Sequence, residues 1–296
     1  GLRKFAVILV WLMGYRITIK SYMSDFGRWY QCQDTVYHSK ACTKNRDNSQ
    51  FLTCDHRCFA CLDRCLNFYF FCRKEKIINV GANIKGSRAS IALSEQYPFI
   101  YAAVGVHPSD TEELNEEKMA WLKEVSKKEK VVAIGEIGLD YYWPEPDREI
   151  QKKWFIRQME LAQEVNLPVI IHSRDAAQDT IEILKQFPAN GVIHCYSYTK
   201  ESAKEFLKMG YYFGIGGVLT FKNAKKLKEA VMEIPMDRIL LETDSPYLAP
   251  EPNRGKRNSS LNIPYVVKEL AQLKGITEEE VINITTENTK RLFHLV

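Results

Sequence analysis

From residue 77 onward, short apolar runs alternate with longer stretches in which apolar residues recur every third or fourth position. The runs are Ile77–Gly81, Tyr101–His107, Val131–Leu139, Pro168–His172, Val192–His194, Tyr211–Gly217 and Ile239–Asp244. They are rich in Val and Ile and lack polar alternation, the pattern of parallel strands covered on both faces. The stretches between them predict helices over Glu112–Lys130, Asp147–Asn166, Ala176–Phe187 and Lys200–Met209, followed by Pro264–Lys274 and Glu278–Phe293. The last is opened by Thr277 with Glu280 three residues on, a capping-box pattern. Strand–helix alternation implies a parallel sheet. Seven units suit either a barrel whose first strand lies before residue 77 or an open doubly wound sheet.

The polar residues choose between these. Nearly every apolar run ends in an ionisable residue: His107, Glu136 with Asp140 beyond it, His172, His194 and Asp244. In a parallel barrel all strand C-termini open onto one face, where catalysis occurs, whereas an open sheet would spread them along an edge. An α/β fold, a (β/α)8 TIM barrel, is therefore expected for residues 77–296. Residues 1–76 form a divergent N-terminal segment that has to supply the first strand and helix.

Glu136 lies within Gly-Glu-Ile-Gly-Leu-Asp, an acid in an otherwise apolar strand, and is costly there unless paired or bound to a metal. A lone strand histidine is commonly a satisfied core residue. His172 and His194, however, recur at equivalent strand positions, and imidazole suits zinc and similar ions. Asp244 can ligate a metal and take a proton from water; its bland alternative is a turn residue before Pro246. His107, stopped by Pro108, suits a phosphate or a metal.

Composition adds limits. The chain of 296 residues is 45% hydrophobic and 26% charged, an ordinary globular balance. Its net charge of +4 is uneven: residues 1–76 hold 13 Lys/Arg against 6 Asp/Glu, the remainder 28 against 31. A mildly acidic body does not look like a groove-reading DNA-binding protein, yet it leaves a nuclease open. Seven of the eight cysteines precede residue 76. The spacing Cys54, Cys58, Cys61, Cys65, continued by Phe68 and Cys72, suits one helical face; a zinc or iron–sulfur site and disulfides are the alternatives. The near absence of cysteine from the body favours a reducing compartment. Arg3-Lys4 before the apolar run Phe5–Met13 superficially resembles a signal peptide, but the run is too short to span a bilayer and no small-residue cleavage site follows. A cytoplasmic protein is expected (or a nuclear one, in a eukaryote), with no membrane partner.

Several runs resemble the TatD-type deoxyribonucleases: Gly-Val-His-Pro (105–108), Gly-Glu-Ile-Gly-Leu-Asp-Tyr (135–141), Ile-His-Ser-Arg-Asp-Ala (171–176), His-Cys-Tyr-Ser (194–197) and Glu-Thr-Asp-Ser-Pro-Tyr-Leu (242–248). So does Thr-Thr-Glu-Asn-Thr-Lys-Arg-Leu-Phe (285–293). The resemblance implies an amidohydrolase-like TIM barrel and a divalent-metal nuclease active on DNA, often as a 3′→5′ exonuclease. It implies that Glu136 bridges two metals, that His172 and His194 hold one, and that Asp244 holds the other beside the attacking water. Family members begin with a strand reading Asp-x-His-x-His, whose histidines bind a metal. No His-x-His occurs in this chain. The nearest echo is Asp34-Thr35-Val36-Tyr37-His38, which offers His38 alone as a ligand; Asp55-His56-Arg57-Cys58 is a weaker one. The shift in charge and cysteine near Lys76 coincides with the start of the resemblance. Either the first strand has diverged, or residues 1–76 reflect a misread gene.

The expected chemistry is metal-assisted hydrolysis of single-stranded DNA by a monomer holding one or two divalent cations. Zinc suits the histidines; magnesium or manganese suits the carboxylates. Asp244 is the expected general base, with His107 and Arg174 steadying phosphate oxygens. The alternatives are a deacylase-type hydrolase on the same barrel and a catalytically weak relative kept for binding.

Overall fold

The structure, a computed structural model, describes residues 8–11 and 76–295. Its strands are β1 (Ile8–Trp11), β2 (Ile77–Val80), β3 (Ile100–Val104), β4 (Val131–Asp140), β5 (Val169–Arg174), β6 (Gly191–Ile193), β7 (Tyr212–Ile215) and β8 (Ile239–Leu241). The described helices are α1 (Ile84–Gln96), α2 (Glu116–Val125), α3 (Arg148–Val165), α4 (Ala177–Gln186), α5 (Lys200–Lys208), α6 (Lys225–Glu233), α7 (Ile263–Lys274) and α8 (Glu278–Phe293). All strands pair in parallel in chain order, and β8 comes back beside β1. This is the expected (β/α)8 arrangement. Every residue of β2, β4, β6, β7 and β8 is buried, which is why those runs show no polar alternation.

The strand paired with β2 is Ile8–Trp11, part of the apolar run that mimics a signal peptide, whereas Asp34–His38, the nearest echo of the family's first strand, falls elsewhere in the sequence. His38, His56 and the cysteine stripe lie outside the described residues.

Helix boundaries follow local chemistry. The Asn83 side chain accepts from the Gly86 amide to start α1, and Asn115 does the same for Lys118 in α2. The capping box of α8 is present: Glu280 N donates to Thr277 Oγ1 at 3.1 Å, and Thr277 N donates to Glu280 Oε2 at 2.8 Å. The end of α8 and the residue Leu295 beyond it close on the barrel, where Leu292, Phe293 and Leu295 join Ile78, Val132, Val192 and Leu240 in one apolar cluster.

Two features of β4 shape the site. The pairing with β5 slips between Gly135 and Ile137, leaving Glu136 without a β5 partner, and its amide donates instead to Gly81 O at 3.1 Å. Such a bulge re-aims the side chain it carries. Gly138 has φ of +144°, and a Cβ there would overlap His172 O, so only glycine lets β4 and β5 approach so closely here.

Candidate metal centre

The site is built from the C-terminal ends of β3, β4, β5, β6 and β8. His107 leaves β3 into a 3-10 turn over Pro108–Glu113. Its Nδ1 lies 2.7 Å from Ser109 Oγ and also faces the Ser109 amide. With Nδ1 accepting from that amide at 3.2 Å, the neutral ring carries its proton on Nε2, which faces Glu136 Oε1 3.8 Å away. Gln158 of α3 supports the segment by bonding both the amide and the carbonyl of Val106.

His172 is held between two carboxylates, Nδ1 to Glu136 Oε1 at 2.8 Å and Nε2 to Asp140 Oδ2 at 3.1 Å. Asp140 is itself fixed, its carboxylate accepting from the Tyr142 amide and its backbone bracketed by Gln151. His194 repeats the arrangement, with Nδ1 to Glu242 Oε2 at 2.8 Å and Nε2 to Asp244 Oδ1 at 3.4 Å. The second oxygen of Glu242 accepts from the Cys195 amide at 2.7 Å. A Cβ on Gly214 would collide with the Glu242 carboxylate, so the buried acid occupies space that glycine vacates.

Without an ion, these groups polarise one another. Burial opposes a charge on His172, but Glu136 and Asp140 outweigh it and hold its pKa up at about 9. His194 is likewise raised, against its burial, by Glu242 and Asp244. His107 goes the other way: burial, then the neighbouring His172 and His194, push it well below the usual range and keep it neutral. Burial raises Glu136, and His172 offsets this only in part. Asp140, despite its burial, is lowered by His172 and the Tyr142 amide. Burial and the surrounding carboxylates raise the Cys195 thiol and leave it protonated.

Among the described residues, two groups have the donors to hold a cation: His107, Glu136 and His172, and separately His194, Cys195 and Glu242, each with ligand atoms within 4.8 Å of one another. The first fits the better. Glu136 is 1% exposed, and its Oε2 has no hydrogen-bond partner among the described residues. A buried carboxylate oxygen left bare is costly, and a cation would satisfy it. In the second group Glu242 already spends both oxygens, and the thiol is held in its protonated form. Asp244, with φ of +50°, stands at the rim on the His194 side, and its charge reaches Glu136.

The residues expected from sequence fall as follows. His107, Glu136 and His172 converge; His194 and Asp244 adjoin them as a neighbouring cluster. Arg174 is exposed at the end of β5 and stacks on the Tyr142 ring at 3.8 Å, and its charge reaches Asp140. Sequence reasoning passed over Glu242 and used Asp140 only as a strand end. Glu242 carried a signal akin to that of Glu136: it directly follows the apolar strand β8, as Glu136 interrupts the apolar strand β4.

A parallel barrel that brings three imidazoles and four carboxylates to its strand ends defines a metal-dependent hydrolase. The chain belongs to the TatD related DNase family, whose model matches residues 69–294. It is 51% identical over 224 residues to the uncharacterized metal-dependent hydrolase YabD of Bacillus subtilis, a match covering 75% of this chain and 88% of that one. It is 41% identical over 194 residues to the uncharacterized metal-dependent hydrolase YcfH of Escherichia coli K12, covering 64% and 72%. Among solved structures, the TatD homologue YJJV of Escherichia coli K12 superposes with a TM-score of 0.71 at 31% identity, covering 75% of this chain and 87% of that one. Among the described residues, no helix is long and apolar enough to cross a membrane.

Proposed function

We propose that this chain hydrolyses phosphodiester bonds in single-stranded DNA, working from the 3′ end and depending on a divalent cation. The observation that carries the reading is the unpartnered, buried Oε2 of Glu136 beside two imidazoles at the catalytic face of the barrel. The description of the family as DNases supports the choice of substrate. A cation held by His107, Glu136 and His172 supplies Lewis-acid polarisation of a phosphoryl oxygen. Asp244, at the rim and only partly buried, takes the proton of the attacking water and passes one to the leaving oxygen. His194, held by Glu242 from behind, orients Asp244. Arg174 offers its guanidinium to a phosphate oxygen.

The test uses single-stranded DNA labelled at either end, with magnesium, manganese or zinc, or with excess chelator. Early release of the 3′ label, and none in chelator, is expected. Asp244→Asn should lower kcat by roughly 10²–10⁴-fold, the usual contribution of a general base. Undiminished cleavage in chelator would overturn the metal-dependent reading.

One observation favours a second reading, a binding protein of weak activity: β1 carries no histidine, so the paired histidines of the family's first strand have no counterpart there. Metal stoichiometry separates the two, since a binding protein need not retain a tight ion.

A further inference from the structure

Four of the large apolar side chains that stand exposed among the described residues lie on loops at the catalytic face: Tyr142, Trp143, Tyr247 and Leu248. The first two are the most informative. Tyr142 is 54% exposed and Trp143 56% exposed, directly after the end of β4. Their rings meet edge to face, with centroids 4.9 Å apart at 88°. The Arg174 guanidinium covers the Tyr142 ring at 3.8 Å. This ledge is tied to the reacting centre, because the Tyr142 amide donates at 3.0 Å to Asp140, whose carboxylate grips His172. Tyr141, by contrast, turns inward to Asp179 and lies under Arg148. On the far side of the barrel mouth, the loop after β8 presents Arg254, Lys256 and Arg257, all exposed.

Two adjacent exposed rings beside a charged pocket offer flat faces on which a planar group can stack. Nucleobases are planar, and stacking on aromatic rings and guanidinium groups accepts any base. The basic loop opposite suits the phosphates of the same strand. We infer that Tyr142, Trp143 and Arg174 form a base-stacking subsite for the nucleotide next to the scissile phosphate of a single strand. The strand then crosses the mouth toward the loop after β8. A duplex cannot use the ledge, because its bases are already stacked on one another. The inference rests on the nucleic-acid reading above, but not on the catalytic one.

The test measures anisotropy of a labelled oligothymidylate, and of an abasic strand of equal length, against the full chain in chelator at low salt. Hydrolysis of the same abasic strand with added metal is followed in parallel. Trp143→Ala should bind oligothymidylate roughly 5- to 150-fold more weakly, the range for one lost base stack. Trp143→Phe should bind close to wild type. Both variants should match wild type in binding and in cleaving the abasic strand, which carries no base to stack on Trp143. Unchanged oligothymidylate binding by Trp143→Ala, equal losses on both strands, or no oligothymidylate binding by wild type would overturn the subsite. Trp143-dependent binding without any diester hydrolysis would uphold the subsite and bring down the catalytic reading instead.

Discussion

His172 and His194 occupy equivalent stations, each gripped by a carboxylate on either ring nitrogen, yet their surroundings differ by one oxygen. Glu242 places one oxygen on His194 and the other on the Cys195 amide, so its half is complete. Glu136 places one on His172 and leaves the other bare, with His107 facing it at 3.8 Å. A buried acceptor left unsatisfied costs about 1–3 kcal/mol, and more when charged. The same pattern, an acid in an apolar strand beside a histidine, thus serves two ends. Counting satisfied lone pairs tells which acid awaits an ion and which one positions a neighbour.

The largest effect that could break this comparison is expected from Glu136→Gln. It should abolish tight metal retention, measured by elemental analysis after gel filtration, and lower cleavage by far more than the about 100-fold typical of altered ligand supports. Retention of a stoichiometric ion would show that the bare oxygen is not where the ion sits. Glu242→Gln should be milder, keeping the ion with affinity reduced about 10–100-fold, because it removes support and no ligand. Equal losses in the two variants would erase the distinction.

A third prediction concerns the metal-free chain. The pKa of His172 is held at about 9, above the unfolded value of about 6.5. Its charge therefore contributes stability that is fully present below pH of about 6.5 and is lost as pH rises through about 9. The raised pKa of Glu136 acts in the same direction, since the folded chain holds that proton longer. Tm in chelator should fall across this window, and His172→Gln should flatten the slope. Saturating metal should reverse it, because only the deprotonated imidazole binds. The smallest effect is expected from His38→Ala: one tight ion per chain should remain, as the first-strand position belongs to Ile8–Trp11. Two equally tight ions in the unaltered chain would contradict this.

Much of the barrel was legible because strands buried on both faces leave unbroken apolar runs, as in Val131–Leu139 and Ile239–Leu241. Helix α1 was not, because its buried face is made of Gly86, Ser87, Ser90 and Ser94 around Ile91, small residues that leave no apolar stripe. Helix α6 was missed for a related reason: only Leu227, Ala230 and Val231 are buried in it. The helix expected over Glu112–Lys130 begins at Glu116, where Asn115 caps it, after a separate 3-10 turn ending at Glu113. In the site, a histidine or acid at a strand end could be read as a candidate, but partnership could not. That Asp140 rather than another acid closes on His172 depends on how far β4 runs past its bulge.

Gly214 has no side chain, and although its carbonyl accepts from the Tyr196 amide it would pass unnoticed in any inventory of ligands. Adding one carbon to it would drive the Glu242 carboxylate off its seat, and with it the groups that hold His194. Glycine and alanine codons differ by a single base, so this change is within reach of any round of replication. An emptiness can therefore hold a charged group in place as a ligand does, and a survey of natural variants that scored only polar residues would pass over Gly214.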